Sequence, residues 1–152
     1  MKLRLIALFC VLPVIGAEPA GYKYWSAAEL KGYAKELAPK LNPQKAAMQR
    51  VAEFGGNYAM AVYREGTGDA EFHEKEADLF VVSTGGATLV VGGTLKDAKT
   101  TAPGEQRGPS IEGGTRQKLS AGDIVHIPPK TPHQVLVDPG TKMSYFVMKM
   151  KE

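Results

Sequence analysis

The sequence predicts an all-β domain, either a barrel or a sandwich, with a helical arm on its N-terminal side. Short strand patterns recur at even spacing after residue 56, with turn residues between them. Glycine and proline are frequent, at 17 and 10 of 152 residues, which favours turns over long helices. The chain length suits one such domain.

The arm, residues 18–56, contains the helical patterns. Ser26 and Glu29 form the S-x-x-E pattern of a capping box, so we expect a helix over about 25–38. One apolar face repeats at three- and four-residue spacing through Leu30, Tyr33, Ala34 and Leu37. A second, shorter helix is predicted over 43–54. We expect the arm to pack on the outside of the β domain or to cover an edge strand.

The β domain, residues 57–152, is predicted to contain many short strands. The strand candidates are 57–64, 70–73, 78–83, 87–91, 116–119, 124–127, 134–137 and 143–150. Gly85 and Gly86 are interpreted as a turn between the third and fourth of them. Residues 94–114 are polar and rich in glycine and proline, and we interpret them as a long loop that forms a flap or lid.

Residues 1–17 have the order of an export signal. Lys2 and Arg4 are positive, residues 5–15 are mostly apolar, and Gly16 and Ala17 are small. The apolar run is shorter than the roughly 20 residues that span a bilayer. We therefore expect cleavage after Ala17, a periplasmic or secreted protein, and no stable membrane insertion. The alternative is a buried N-terminal strand or helix.

Without this signal, the composition of the remaining chain argues against several classes of function. The net charge of +3 falls close to neutral without Lys2 and Arg4, so nothing indicates a nucleic-acid footprint. The single cysteine, Cys10, also leaves with the signal, which excludes disulfides, a cysteine nucleophile and a thiolate metal site. The chain contains neither the phosphate-binding G-x-x-x-x-G-K-[ST] motif nor the hydrolase motif G-x-S-x-G.

Two candidate metal-ligating groups lie near the start of the β domain. Glu71 precedes His73 by two residues, so both side chains can project from one face of a strand. Asp78 shares its parity with the apolar Phe80 and Val82, which predicts that its carboxylate faces the core. A core-facing carboxylate needs a metal ion or another cation, because an unpaired buried charge is very costly.

The spacing of these residues resembles the two motifs of the cupin family. His73, Asp78 and Gly85 have the spacing of the second half of the first motif. The segment GDIVHIPPKTPHQ has the spacing of the second motif through Gly122, Pro128 and His133. The resemblance covers about residues 57–149 and implies a double-stranded β-helix, which is a jelly-roll barrel.

The chain also departs from that pattern. Glu71 and Asp78 stand where the family has histidine and glutamate, and Lys130 and Val137 replace a glycine and an asparagine. Carried over by position, the resemblance implies one divalent metal ion held by Glu71, His73, Asp78 and His133. These ligand types suit Zn, Fe, Mn or Ni and do not choose among them.

Each of these residues also has a simpler interpretation. His133 could be a turn histidine bonded to backbone, Asp78 could cap a strand or pair with a lysine, and Glu71 could be a solvated surface carboxylate. His126 lies in a strand of unknown facing and is a candidate for the cavity. Tyr58 and Phe80 are either core aromatics or cavity-lining residues.

Three functions are compatible with this pattern. The first is a metalloenzyme acting on a small polar or aromatic molecule, with Glu71 or His126 as an acid/base group; the resemblance to cupins implies dioxygenase, isomerase or lyase chemistry. The second is a sensor or carrier that binds a metal or small molecule without turnover. The third is a structural protein that has lost the site. The resemblance also implies a homodimer.

Overall fold

The computed structural model describes residues 17–151. Residues 1–16 of the predicted signal, Cys10 among them, lie outside this range, so export stays a prediction. A helix, α1 (Ala27–Leu37), and a 3₁₀ turn (Ala38–Lys40) precede the strands. The strands are β1 (Ala46–Phe54), β2 (Asn57–Arg64), β3 (Ala70–His73), β4 (Glu76–Val91), β5 (Thr94–Leu95), β6 (Lys99–Ala102), β7 (Glu105–Gly108), β8 (Ile111–Glu112), β9 (Thr115–Ser120), β10 (Ile124–Ile127), β11 (His133–Leu136) and β12 (Met143–Lys151).

The first predicted helix is confirmed as α1. The Ser26 hydroxyl accepts a hydrogen bond from the backbone N–H of Glu29 at 3.1 Å, which satisfies one of the free N–H groups of the first turn. Leu37 is fully buried at the other end of the helix. The helix lies on the outside of the sheet, where Leu37 packs with Ala47, Ala61 and Tyr63.

The second predicted helix, over 43–54, is wrong. These residues form β1, which pairs antiparallel with β2 from Ala46↔Arg64 to Phe54↔Asn57. The apolar spacing of this segment fits a helix locally, but β2 offers a free edge whose backbone groups β1 satisfies. β1 therefore adds a strand to the sheet before residue 57, where the sequence predicts the start of the β domain.

The strands form a curled antiparallel sheet. Its hydrogen-bonded order is β1-β2-β12-β4-β11-β3-β7-β6, and β9 and β10 pair with β4 in addition. Buried apolar side chains form one cluster inside the curl and another beneath the helix. The largest of these clusters is formed by Val62, Phe80, Val82, Leu89, Leu119, Ile127, Val135, Val137, Met143, Tyr145 and Val147.

One long strand joins the two halves of the barrel. The predicted pair of strands at 78–83 and 87–91 is a single strand, β4, and the turn expected at Gly85 is part of it. The first half of β4 pairs with β10 and β12, and the second half pairs with β9 and β11. Gly85 has a φ of +68°, and a Cβ there would collide with the Lys142 carbonyl, so only glycine suits this position.

The segment 94–114 is not the irregular flap that its composition predicts. It contains the short strands β5 to β8, and β7 pairs with β3 along its full length, from Ala70↔Gly108 to His73↔Glu105. Alternation of apolar residues is weak in this segment because β6 is exposed and β7 is half-buried, so its strands leave little trace in the sequence. Within residues 17–151, no helix has the length and apolar character to span a membrane.

Candidate metal centre

Strand register brings the four predicted ligands to one place. Glu71 and His73 share a face of β3, and His133 opens β11 directly opposite Glu71. Asp78 lies near the start of β4, opposite Lys149 of β12. Directly opposed residues on antiparallel strands have Cβ atoms about 5 Å apart, so two such pairs place these side chains at one end of the barrel interior.

The candidate ligand atoms converge closely. One ligand atom from each of Glu71, His73, Asp78 and His133 lies within 4.8 Å of the others. His133 Nε2 is 3.3 Å from Asp78 Oδ2, and His73 Nε2 is 3.4 Å from Glu71 Oε2. The two histidines and Asp78 are buried, at 3%, 3% and 2% exposure, whereas the Glu71 side chain is 23% exposed. Asp78 is buried with Phe80 and Val82, as its parity predicts.

Both imidazole rings are oriented by contacts on their outer side. His133 Nδ1 is 3.1 Å from the Thr131 carbonyl, and His73 Nδ1 is 2.6 Å from Glu105 Oε2. These partners favour a proton on each Nδ1, which leaves Nε2 with its lone pair toward the cluster. His133 Nε2 is buried and has no hydrogen-bond partner among the described residues.

A lysine lies inside the cluster. Lys149 Nζ is 2.6 Å from Asp78 Oδ1 and 2.7 Å from Asp78 Oδ2. It is also 2.7 Å from His73 Nε2, and its side chain is only 9% exposed. The ammonium group therefore contacts two of the four predicted ligands.

Further charges surround Glu71. Arg107 lies 3.6 Å from its carboxylate and Arg64 lies 3.9 Å away. Burial opposes ionisation of Glu71, but its contact with His73 and the charge of Arg107 outweigh it and lower the pKa of Glu71. Burial of Asp78 acts in the same way, and contacts with His133 and Lys149 nevertheless lower its pKa. Both carboxylates are therefore ionised near neutral pH.

The cluster borders a cavity of about 800 Å³ inside the barrel. Its polar end carries the cluster with Arg64 and Arg107. Its apolar wall is formed by Met48, Met60, Val62, Phe80 and Val147. Tyr58 and Phe80 line this cavity, and both were candidates for that role. A pocket of this size with an apolar wall and a few converging polar groups is typical of small-molecule sites.

His126, a candidate whose facing the sequence leaves open, does not line the cavity. It is exposed on β10, where the next residue, Ile127, is 1% exposed. Successive side chains of a strand point to opposite faces, so the burial of Ile127 turns His126 outward. The sequence alone does not fix which of the two faces inward, because the strand contains only four residues.

Sequence reasoning missed four charged residues of the site: Arg64, Glu105, Arg107 and Lys149. Lys149 carried a usable signal, since it alternates in register with Tyr145 and Val147 near the end of a mostly apolar strand. Glu105 and Arg107 lie in the segment interpreted as a loop, where no periodicity distinguishes inward from outward positions. Arg64 ends β2 and was indistinguishable from a solvated strand terminus.

The donor set fits a divalent metal ion. Two imidazole nitrogens and two ionised carboxylates are ligands that first-row transition metals accept, and they do not distinguish Zn, Fe, Mn and Ni. The orphaned Nε2 of His133 is a further sign, because buried ring nitrogens ordinarily have a partner. A metal site made of these four ligands does not need a lysine among them, so the position of Lys149 calls for a separate explanation.

Several solved structures are similar to this chain. A Thermus thermophilus protein, TT1209, matches at 18% identity with a TM-score of 0.56, over 77% of this chain and 92% of its own. A cupin-2 domain protein of Rhodospirillum rubrum matches at 14% identity with a TM-score of 0.52, over 72% and 63%. A cupin 2 conserved barrel domain protein from Rhodopseudomonas palustris matches at 17% identity with a TM-score of 0.50, over 70% and 63%.

The fold is that of the cupins. The resemblance seen in the sequence is thus confirmed for the architecture, although identities this low show the fold alone. The chain spans 63% of the length of the Rhodospirillum rubrum and Rhodopseudomonas palustris proteins. No protein-family model and no curated protein sequence matches the chain.

Proposed function

We propose that this cupin binds one divalent transition-metal ion through Glu71, His73, Asp78 and His133 and acts on a small molecule in its cavity. The observation that carries the proposal is the convergence of two oriented imidazoles and two ionised carboxylates within 4.8 Å inside the curled sheet. A metal ion bound there supplies Lewis-acid polarisation of the small molecule.

The protein's own groups divide the remaining tasks. Glu105 and the Thr131 carbonyl hold the two rings in place, which keeps each Nε2 aimed at the centre. Glu71 is the most accessible member of the cluster and borders the cavity, so it can accept or return a proton at its carboxylate. The apolar wall can contact the rest of the ligand.

The ligand class follows from this lining. A small polar or aromatic molecule can place its apolar part against Met60 and Phe80, and its polar part toward the cluster. Dioxygenase, isomerase and lyase reactions are all compatible with a metal at the polar end. A carrier or sensor without turnover remains the second candidate, and its ligand occupies the same cavity.

Metal content tests the proposal directly. The chain without its signal, purified without added chelator, is expected to contain about one first-row metal ion per molecule. Inductively coupled plasma mass spectrometry measures this content. His133→Ala is expected to lose it, because it removes a buried ligand. His126→Ala is the matched control, since it removes an exposed histidine from the same barrel and is expected to retain the metal.

The outcomes separate the three functions. A folded, metal-free protein that takes up no added Zn, Fe, Mn or Ni would leave only a structural role. Metal bound equally by His133→Ala and the parent would refute the proposed ligand set. With Fe(II) loaded, oxygen consumption across a panel of small aromatic and carboxylic compounds would then distinguish an oxygenase from a carrier.

Export and assembly form part of the same proposal. The N-terminal sequence of protein recovered from the periplasm or medium is expected to start at Glu18. A variant in which Lys2 and Arg4 are both glutamate is expected to stay in the cytoplasm uncleaved. The homodimer stays a prediction, and the molar mass in solution tests it.

A further inference from the structure

Lys149 lies where a metal ion would have to bind. Its ammonium nitrogen contacts both oxygens of Asp78 and Nε2 of His73 at 2.6–2.7 Å. The Nδ1 of His73 faces Glu105, so Nε2 is the ring nitrogen that remains for a metal. That nitrogen has one lone pair, and Lys149 already donates to it.

Charge compensation explains why a lysine can occupy this position. Asp78 is 2% exposed, and a buried carboxylate left without a cation is strongly destabilising. Lys149 supplies the missing positive charge from the neighbouring strand, at the residue directly opposite Asp78. In the metal-free barrel, Lys149 therefore compensates the charge of the same carboxylate that a metal ion would compensate.

A divalent ion and this ammonium cannot share the cluster. Both are positive, both need Asp78, and like charges a few ångströms apart in a poorly hydrated site repel strongly. Lysine has a long flexible stem, and Lys149 lines the 800 Å³ cavity, so the group has space to swing away from the cluster.

We propose that, in the metal-free chain, the ammonium group of Lys149 is a resident cation: it occupies the position where the metal ion would bind. Metal binding then proceeds by displacement of this ammonium group. This rests on the proposed function and adds a determinant of metal affinity to it. The ligand set is open to metal only in the fraction of molecules whose Lys149 has moved, and apparent affinity falls by that fraction.

The first test measures metal affinity. The full chain without its signal is stripped of metal and titrated with Co²⁺ and Zn²⁺, by calorimetry and by the visible absorption of Co²⁺. Lys149→Met is expected to bind at least about tenfold more tightly than the parent, because no ammonium has to be displaced. Lys151→Met is the matched control: it removes an exposed lysine two residues along the same strand and is expected to bind like the parent.

The second test measures the stripped chain in chelator. Lys149→Met is expected to melt at a lower temperature than the parent and to regain more from added Zn²⁺ than the parent does. If the stripped Lys149→Met chain does not fold, Lys149→Gln keeps a hydrogen-bond donor without the charge and is expected to show the same gain in affinity.

The outcomes distinguish the two proposals. Equal metal affinity in the parent and the Lys149 variants would overturn the resident-cation role and leave the metal site standing. If neither the parent nor the variants bind metal, the proposed function fails. The melting temperatures still decide the role of Lys149 as the internal cation, which falls if Lys149→Met is as stable as the parent in chelator.

Discussion

The two faces of β2 are built on different principles. Its inward residues line the cavity: Tyr58, Met60, Val62 and Arg64. On the outward face, Ala61 and Tyr63 pack beneath the helix with Leu37. The contacts of the outer face are mainly apolar. The inner face becomes polar toward Arg64, whose Nε donates to the Tyr145 hydroxyl at 3.2 Å.

This difference determines what each face tolerates. Contact between apolar groups is non-directional and scales with the area removed from water, so the outer face responds mainly to size. The inner cluster depends on charge compensation, where the loss of one partner leaves another charge buried. A size change should therefore spare the site, whereas a charge change should affect both stability and metal binding.

The largest expected effect is that of Asp78→Ala. It leaves the buried ammonium of Lys149 without its carboxylate and should lower the free energy of unfolding by about 4 kcal/mol. Urea denaturation in chelator measures this loss, and metal content should fall as well. The exposed Asp69→Ala is the control. Unchanged stability in Asp78→Ala would show that the cluster is not held by charge compensation.

Leu37→Ala should have a somewhat smaller effect, confined to the outer face. Truncation of this fully buried side chain should cost about 3 kcal/mol through lost burial and the remaining cavity. The exposed Lys35→Ala, on the same helix, controls for helix propensity. Metal stoichiometry should stay at the parent value. A parallel loss of metal would show that the two faces are coupled and would contradict the comparison.

Ser26→Ala should cost about 1 kcal/mol, because it removes the side chain that accepts from the Glu29 N–H. Thermal unfolding followed by circular dichroism measures the shift. Ser26→Asp retains an acceptor and should restore most of the stability. If both variants lose equally, the cap contributes nothing and the helix is held by its apolar face alone.

The smallest effect near neutral pH involves Tyr63 on the outer face. Burial and the hydrogen bond to Glu65 raise the pKa of Tyr63 from 10.0 to about 12. The folded state thus holds this proton more tightly, so its contribution is fully present below pH 10 and is lost as the pH rises toward 12. Tyr63→Phe should reduce the loss of stability between these pH values. An identical pH profile in parent and variant would contradict this assignment.

The sequence predicted the parts of the fold that have a clear period. The capped helix follows from Ser26, Glu29 and the apolar spacing. The strands from β9 to β12 follow from alternation between turns and agree with the structure to within about two residues. The segment 43–54 failed because its local spacing suits a helix, and only the free edge of β2 makes it a strand.

For a similar reason, the sequence indicated the four predicted ligands but not the other charged residues of the site. Glu71, His73, Asp78 and His133 were singled out because motif spacing and parity mark them, and the structure brings all four together. Glu105 and Arg107 lie at the cluster only because β3 pairs with β7, and no local sequence pattern predicts this pairing. His126 was undecided for the same reason, since the facing of a four-residue strand depends on its partner.

By itself, the sequence determined the strand-rich class and the capped helix, because these depend on local period, and its resemblance to the cupin motifs indicated the four candidate ligands. Tertiary structure alone decided which strand begins the barrel, which way His126 points, and that Lys149 lies among the ligands. Those facts depend on register between strands far apart in the chain, and a one-residue change of register reverses every side chain.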